Sequence, residues 1–319
     1  MGINPSMTSK DKETYSPLSL KLMIQLAAPH TWPAAILPSL LGSILAIYYT
    51  SSISVTLSLD LLLIVILMQS GVNTINDYFD FVKGADTKEN QVDANDAVLV
   101  FNNVNPKSVK LFAIMLVVFA FLLGIYPIYA AGVIPLILGV IGALVIYFYS
   151  GGKTPISYLP IGEFASGFTM GTLILFATYF SLTGDLNFIV LVDSIPLLIG
   201  IGLILMTNNT CDIEKDITAE RKTFSAVVGR EKAKRVYHGA FYTMVLSVCL
   251  IVLIQFSAGF LTIPFFLLCL YPFGKALLNN PLKLETRVAA MSQILTVNVV
   301  VGAFFTLAII ASKVCVLVL

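Results

Sequence analysis

Charged residues are scarce in this sequence. Only 12% of its 319 residues are Asp, Glu, Lys or Arg, about half of the 25% that is typical of soluble domains. Apolar residues make up 57% of the chain and its mean hydropathy is +0.90. A soluble fold of this length cannot bury so much apolar surface, so the composition predicts a multi-span membrane protein.

Cysteine and net charge are low as well. The four cysteines are widely separated and form no Cys-x-x-Cys motif, which argues against a disulfide framework or a zinc site. The formal net charge is +1, which excludes a strongly basic nucleic-acid-binding surface. The expected surroundings are therefore a lipid bilayer, and no nucleic-acid partner is expected.

Long apolar runs divide the chain into nine segments that approach the length of a spanning helix, about 20 residues. We expect an all-α, multi-span membrane protein of about nine transmembrane helices, with a polar N-terminal segment over 1–20 and one transmembrane domain over 21–319. Three prolines in the first run are expected to bend it. The predicted helices cover residues 22–49, 57–80, 109–126, 128–149, 161–183, 191–211, 236–257, 259–279 and 289–312.

The basic residues fall almost entirely on one side of this nine-helix arrangement. They precede helix 1 and lie between helices 2 and 3, 4 and 5, 6 and 7, and 8 and 9, whereas Lys313 falls on the opposite side. In membrane proteins the cytoplasmic loops carry the excess of Lys and Arg. The N-terminus and these loops are therefore predicted to be cytoplasmic.

Two polar motifs follow even-numbered helices on that side. At the end of helix 2, Asn76 and Asp80 lie on one helix face, and Asp86 follows in the same stretch. Amides and carboxylates at membrane depth are functional candidates by default, because placing them there is costly. The second motif, at the end of helix 6, has three polar residues at intervals of four: Asn208, Asp212 and Asp216.

The ligand types in these motifs suit Mg²⁺. Carboxylate and amide oxygens are hard ligands, and protein-bound Mg²⁺ typically keeps several waters and bridges carboxylates to substrate phosphates. The motifs lie four helices apart, as expected for a parallel repeat of two four-helix halves plus one helix. Together they are predicted to hold a diphosphate through Mg²⁺. Its remaining oxygens would contact nearby basic residues, namely Lys83, Lys153, Arg221 and Lys222.

At these motifs the sequence resembles the UbiA-type intramembrane aromatic prenyltransferases. The stretches 76–80 and 83–87 are similar to the family's first motif, and 208–216 with 221–223 to its second. Within the family, the closest similarity is to 1,4-dihydroxy-2-naphthoate polyprenyltransferases of menaquinone synthesis. The sequence departs from that branch at Cys211, where an Arg is usual.

The resemblance implies Mg²⁺-dependent transfer of a polyprenyl group from polyprenyl diphosphate to an aromatic acceptor. For the naphthoate branch, the acceptor loses CO₂ and becomes a demethylmenaquinol. The enzyme is expected in a cell membrane, with its active site on the cytoplasmic side. The implied catalytic residues are Asn76, Asp80, Asn208 and Asp212, and these would hold the metal together with Asp86 and Asp216. Aromatic faces would stabilise the allylic cation, the candidates being Trp32, Tyr147, Tyr149 and Tyr158.

Three alternatives remain open at the level of sequence. The acceptor could be another aromatic compound, such as hydroxybenzoate, homogentisate or a chlorin. Transporters also place carboxylates on broken helices, although here the carboxylates cluster near one surface. A scaffold that has lost catalysis is a third reading, prompted by Cys211 and by the absence of basic residues over 93–105.

Overall fold

The computed structural model describes residues 15–84 and 97–318, with side chains up to residue 314. Regular structure in these residues is helical, apart from one isolated bridge between Ser16 and Val104. The α-helices are α1 (Leu20–Ala27), α2 (Pro33–Thr50), α3 (Val55–Val82), α4 (Val98–Phe101), α5 (Pro106–Leu123), α6 (Ile125–Ala131), α7 (Ile134–Ser150), α8 (Gly162–Ser166), α9 (Ile174–Thr183), α10 (Ile189–Asp193), α11 (Ile195–Cys211), α12 (Ile213–Thr218), α13 (Phe224–Val228), α14 (Arg230–Gln255), α15 (Thr262–Leu278) and α16 (Arg287–Val318).

Seven segments of the described chain are long and apolar enough to cross a membrane. Two shorter apolar helices, α7 and α15, cover the other two predicted spans. The all-helical, multi-span prediction is thus confirmed, whereas the number nine stays a prediction. The seven segments are Pro33–Thr50, Val55–Val82, Pro106–Ala131, Gly162–Thr183, Ile189–Cys211, Arg230–Gln255 and Leu284–Val314.

Several predicted boundaries differ from the structure; the seventh predicted helix, for example, begins at Arg230 rather than at residue 236. The first predicted helix is divided, because Ala28 adopts a left-handed conformation (φ 46°) that ends α1, and a 3₁₀ turn over Pro29–Thr31 leads into α2. The third span extends to Ala131 rather than residue 126, and Gly132 (φ 80°) ends it. The fourth helix therefore begins at Ile134 and is shorter than predicted.

The main core lies among α2, α9, α11, α14, α15 and α16. Its largest fully buried side chains include Tyr179, Tyr237, Phe256, Phe266 and Phe305. In contrast, α5 and α7 have few buried residues and expose large apolar side chains along their length. An apolar exterior of this extent is expected where lipid rather than water surrounds the helices.

A π-helical segment over Gly167–Leu173 joins α8 to α9 and lies directly against α11. A Cβ atom built on Gly167 would lie 2.2 Å from the Leu198 carbonyl oxygen, and one on Gly171 would lie 2.5 Å from the Leu198 nitrogen. Only glycine permits backbones to approach this closely. This contact fixes the position of α11, whose last turn carries the second polar motif.

Candidate active site

A cavity of about 1400 Å³ contains the two polar motifs at one end. Asn76 and Asp80 line it from α3, Asn208 lines it from α11, and Asp212 and Asp216 follow α11. The cavity contacts α3 from Leu61 to Asp80, a length of about 28 Å at the usual helical rise. Its remaining lining is mostly apolar, so it joins a polar end to a long apolar channel.

The first motif is held by groups from two other parts of the chain. The Arg221 Nη2 donates to Asp80 Oδ1 at 2.6 Å, and neither side chain is more than 28% exposed. The Ser150 hydroxyl at the end of α7 donates to Asn76 Oδ1. Lys83 Nζ donates to the Ser150 carbonyl at 2.6 Å. Lys83 therefore holds Ser150, the residue that contacts Asn76.

Asp77 belongs to the same motif, but its carboxylate binds backbone N–H groups at the start of α4. Its carboxylate accepts from the backbone N–H of Val98 at 2.7 Å and from that of Leu99 at 3.3 Å, and it is only 7% exposed. These N–H groups open α4, whose apolar residues pack with Leu26 and Val109 in a small separate cluster. Asp77 therefore fastens the chain that returns to the membrane after the first motif.

Replacing Asp77 with Ala is expected to lower stability, because two N–H groups at the start of α4 lose their acceptor. The cost is about 1 kcal/mol for a lost helix cap, or about 1–2 °C in unfolding temperature for a chain of this size. Thermal unfolding of the purified protein in lipid nanodiscs measures this, and Asp77→Asn, which keeps one acceptor oxygen, should lose less. An unchanged unfolding temperature together with abolished activity would instead place Asp77 among the catalytic groups.

The second motif is held by an arginine from the last helix. Arg287 donates to Asn208 Oδ1 from Nε at 3.0 Å and from Nη2 at 2.7 Å, and its Nε also lies 3.1 Å from Asp212 Oδ2. One oxygen of the Asp212 carboxylate is thus held by Arg287, and the other, Oδ1, is buried with no hydrogen-bond partner among the described residues.

Asp216 and Glu163 complete the polar surroundings. Asp216 is 3% exposed and accepts from the Thr223 hydroxyl at 2.9 Å, while its backbone carbonyl accepts from the Arg221 N–H at 2.8 Å. Glu163 accepts at 2.8 Å from Asn209 Nδ2. The turn over 216–223 is therefore fixed to the motif, and this places Arg221 beside Asp80.

Burial dominates the electrostatics of the second motif. It raises the pKa of Asp216 to about 6, although the Thr223 hydroxyl and Arg221 act in the opposite direction. Burial also raises the pKa of Asp212, against the influence of Arg287. Both carboxylates would be stabilised in their charged form by an added cation.

Some of the other predicted residues line the cavity, and others do not. Arg221 lines it, whereas Lys83, Lys153 and Lys222 do not, and all three lysines are exposed. Among the four aromatic candidates, Tyr149 lines the cavity. Tyr158 instead lies beneath the Arg221 guanidinium, 4.7 Å from ring centroid to Cζ.

The two remaining aromatic candidates have contacts of other kinds. Trp32 Nε1 donates to the Ala27 carbonyl at 3.1 Å and so fastens the turn between α1 and α2. Tyr147 is 53% exposed and has an edge-to-face contact with Phe79. These contacts are structural, and neither side chain lines the cavity.

Arg287 is a site residue that the sequence reasoning missed. It was counted only among the basic residues that set orientation, since it lies outside both motifs and 79 residues from Asn208. Its position at the first turn of a long apolar helix was the available signal, because a charge there borders the membrane surface.

The donor set fits Mg²⁺ when it is considered together with a diphosphate. Within the part of the chain that the structure describes, no group of three or more His, Cys, Asp or Glu side chains is close enough to hold a metal ion alone. Mg²⁺ commonly binds one or two carboxylates and completes its shell with phosphate oxygens and water, which matches two separated motifs and the buried Asp212 Oδ1. The predicted ligand Asp86 lies outside the described residues.

Comparison with known proteins identifies the family of this chain. The model of the UbiA prenyltransferase family matches residues 35–294, which include both motifs. The chain belongs to the UbiA prenyltransferase family. A relative from Bacillus subtilis (strain 168), 1,4-dihydroxy-2-naphthoate octaprenyltransferase, is 34% identical over 221 residues, which are 69% of this chain and 70% of that protein. This UbiA chain is accordingly a transferase and a multi-pass membrane protein.

Further relatives and solved structures agree with this family. UbiA prenyltransferase domain-containing protein 1 of Danio rerio is 27% identical over 241 residues, covering 74% of this chain and 70% of that one. A UbiA homolog from Archaeoglobus fulgidus bound to GPP and Mg²⁺ shares the fold, with a TM-score of 0.64 and 16% identity over 92% of this chain and 99% of that one. The apo structure of a UbiA homolog from Aeropyrum pernix K1 aligns with a TM-score of 0.56 and 14% identity, over 95% and 100% of the two chains.

Proposed function

We propose that this protein transfers a polyprenyl group from polyprenyl diphosphate to 1,4-dihydroxy-2-naphthoate, with release of CO₂ and diphosphate. The product would be a demethylmenaquinol. The observation that carries this proposal is the shape of the cavity, in which both polar motifs meet at one end of a long apolar channel. The 34% identity to the Bacillus subtilis octaprenyltransferase supports the choice of acceptor.

Both motifs would contribute ligands for the Mg²⁺ that binds the diphosphate. Asn76 and Asp80 on one side, and Asn208, Asp212 and Asp216 on the other, would hold Mg²⁺, with Asp86 added on the resemblance. When bound, Mg²⁺ neutralises charge on the diphosphate and makes it a better leaving group. Arg221, which lines the cavity over the face of Tyr158, is placed to contact the phosphate oxygens.

The apolar part of the cavity would hold the prenyl chain and exclude water from the reacting carbon. Ile64, Val299 and Val300 are among its lining residues, on α3 and α16. Loss of diphosphate leaves an allylic cation, which the face of Tyr149 can stabilise by about 0.5–2 kcal/mol. The electron-rich ring of the acceptor then forms the new carbon–carbon bond and loses CO₂.

The protein is proposed to lie in a cell membrane with its site on the cytoplasmic side. Arg221 and Arg287 contact the motifs at the same end of the bundle, Arg221 from a loop and Arg287 from the start of α16. The loops at this end carry most of the basic residues. An excess of Lys and Arg marks the cytoplasmic side. The diphosphate would then arrive from the aqueous side, while its chain remains in the membrane.

Product analysis tests this proposal directly. Purified protein in lipid nanodiscs is incubated with 1,4-dihydroxy-2-naphthoate, a polyprenyl diphosphate and Mg²⁺, and mass spectrometry follows the products. We expect a prenylated, decarboxylated naphthoquinol that disappears with EDTA and returns with added Mg²⁺. Product formed only from hydroxybenzoate or homogentisate would reassign the acceptor, and the absence of product from all three would contradict the prenyl-transfer proposal.

A further inference from the structure

Arg287 holds oxygen atoms that the proposed metal site requires. Two of its nitrogens donate to Asn208 Oδ1, at 3.0 and 2.7 Å, and one of these also contacts Asp212 Oδ2 at 3.1 Å. Its side chain is 22% exposed and that of Asp212 is 10% exposed. The guanidinium therefore lies between the buried motif and the open part of the cavity, which it also lines.

These contacts compete with a metal ion for the same atoms. Charge-assisted hydrogen bonds from a guanidinium occupy the lone pairs through which an amide oxygen would bind a cation. A divalent ion placed at Asn208 and Asp212 would also repel the guanidinium at short range, where screening by water is weak. A metal that binds this motif must therefore displace Arg287 from Asn208 Oδ1.

The first motif shows a parallel contact. Arg221 Nη2 lies 2.6 Å from Asp80 Oδ1, so in each polar motif a carboxylate that lines the cavity is paired with an arginine. Both arginines line the same cavity. A guanidinium leaving its carboxylate needs a new anionic partner in a partly buried site, and a diphosphate offers oxygens that match the planar fork of an arginine.

We propose that Arg287 is a second diphosphate-binding residue, and that its exchange of Asn208 and Asp212 for phosphate oxygens couples metal binding to diphosphate binding. This inference rests on the proposed function. The metal alone binds weakly, because it must displace Arg287 without giving it a partner. The metal together with diphosphate binds well, because the same anion would bind the metal ion and accept hydrogen bonds from the Arg287 guanidinium. The coupling favours assembly of the charged site when the complete donor diphosphate is present.

The test measures metal affinity rather than turnover. Full-length protein in nanodiscs is titrated with Mn²⁺, with and without inorganic pyrophosphate, and free Mn²⁺ is followed by electron paramagnetic resonance. Because pyrophosphate itself binds Mn²⁺, each titration is compared with the same solution containing empty nanodiscs. The wild type is expected to bind Mn²⁺ more tightly with pyrophosphate present. In Arg287→Ala, Mn²⁺ alone should bind about tenfold more tightly, and the enhancement by pyrophosphate should fall about tenfold, the size of one charge-assisted hydrogen bond.

Three further variants control this measurement. Arg287→Lys keeps the charge but not the fork, so it should retain part of the coupling. Arg230→Gln removes an arginine that pairs with Glu214 at 2.8 Å outside the cavity, and it should leave Mn²⁺ affinity unchanged. Asp212→Asn should weaken Mn²⁺ binding in both conditions, which shows that the signal reports this site. Thermal unfolding of each variant excludes general misfolding.

The outcomes separate this inference from the proposed function. If Arg287→Ala lowers the affinity for Mn²⁺ alone, or leaves the pyrophosphate enhancement at the wild-type level, Arg287 merely orients Asp212 and the inference is overturned. The proposed metal site survives both of these results. If the wild type binds no Mn²⁺ even with pyrophosphate, the metal site itself and the inference both fail.

Discussion

Replacing either Asp80 or Asp212 with Asn is expected to reduce prenyl transfer at least about 100-fold. Each substitution preserves the size of the side chain and removes its negative charge. Asp80 would no longer neutralise Arg221, which lies 2.6 Å away. Asp212 would lose the negative charge of its carboxylate, one oxygen of which is buried with no partner among the described residues. Product formation at saturating donor and acceptor, normalised to folded protein, measures the loss.

A matched control exists within the second motif itself. Glu214 is two residues from Asp212, but its side chain is 68% exposed and pairs with Arg230 rather than lining the cavity. Substitutions of exposed residues away from a site usually have small effects, so Glu214→Gln should retain activity to within about twofold. Wild-type rates in both Asp80→Asn and Asp212→Asn would show that the diphosphate does not bind between the motifs.

The family and the helical fold could be predicted because their signals are local in sequence. Apolar runs define the membrane helices, and helical spacing placed Asn76 with Asp80 and Asn208 with Asp212 on common faces. The structure brings these four side chains to one cavity. Their roles in catalysis and metal binding remain proposals.

The basic residues were harder to predict, because proximity in sequence does not fix where a long side chain points. Lys222 lies near the second motif in the chain yet is exposed and outside the cavity lining. Lys153, which lies between the fourth and fifth predicted helices, is exposed and outside the lining as well. Arg287 is remote in sequence, and only the packing of α16 against α11 brings it to Asn208. Asp77 follows Asn76 directly, but a rotation of about 100° per residue turns it toward the backbone of α4.

The backbone irregularities were also outside the reach of sequence reasoning. Ala28 divides the first predicted span with a left-handed conformation that non-glycine residues rarely adopt. The π-helical segment over Gly167–Leu173 has no distinctive composition, although such segments are frequent at functional sites. Thr169 of this segment, and Ser166 directly before it, line the cavity. The backbone geometry of the segment therefore affects the shape of the proposed site.

Gly167→Ala is expected to destabilise the protein strongly and to impair the site from a distance. The added Cβ would lie 2.2 Å from the Leu198 carbonyl oxygen and 3.2 Å from the Gly202 nitrogen, both backbone atoms that cannot rotate away. Relief requires α11 to move, which displaces Asn208 and Asp212 at its end. The cost should reach at least about 2 kcal/mol, with reduced folded yield, a lower unfolding temperature and weaker prenyl transfer.

The same substitution elsewhere separates close packing from helix propensity. Gly239 lies within α14 and has open space where a Cβ would be, with nothing within 4 Å. Gly239→Ala should therefore leave activity unchanged and raise stability by about 0.8–1.0 kcal/mol, the difference in helix propensity. Gly171→Ala, whose Cβ would lie 2.5 Å from the Leu198 nitrogen, should behave like Gly167→Ala. If Gly167→Ala and Gly171→Ala were as stable as Gly239→Ala, then the contact between the π-helical segment and α11 would not determine where the second motif lies.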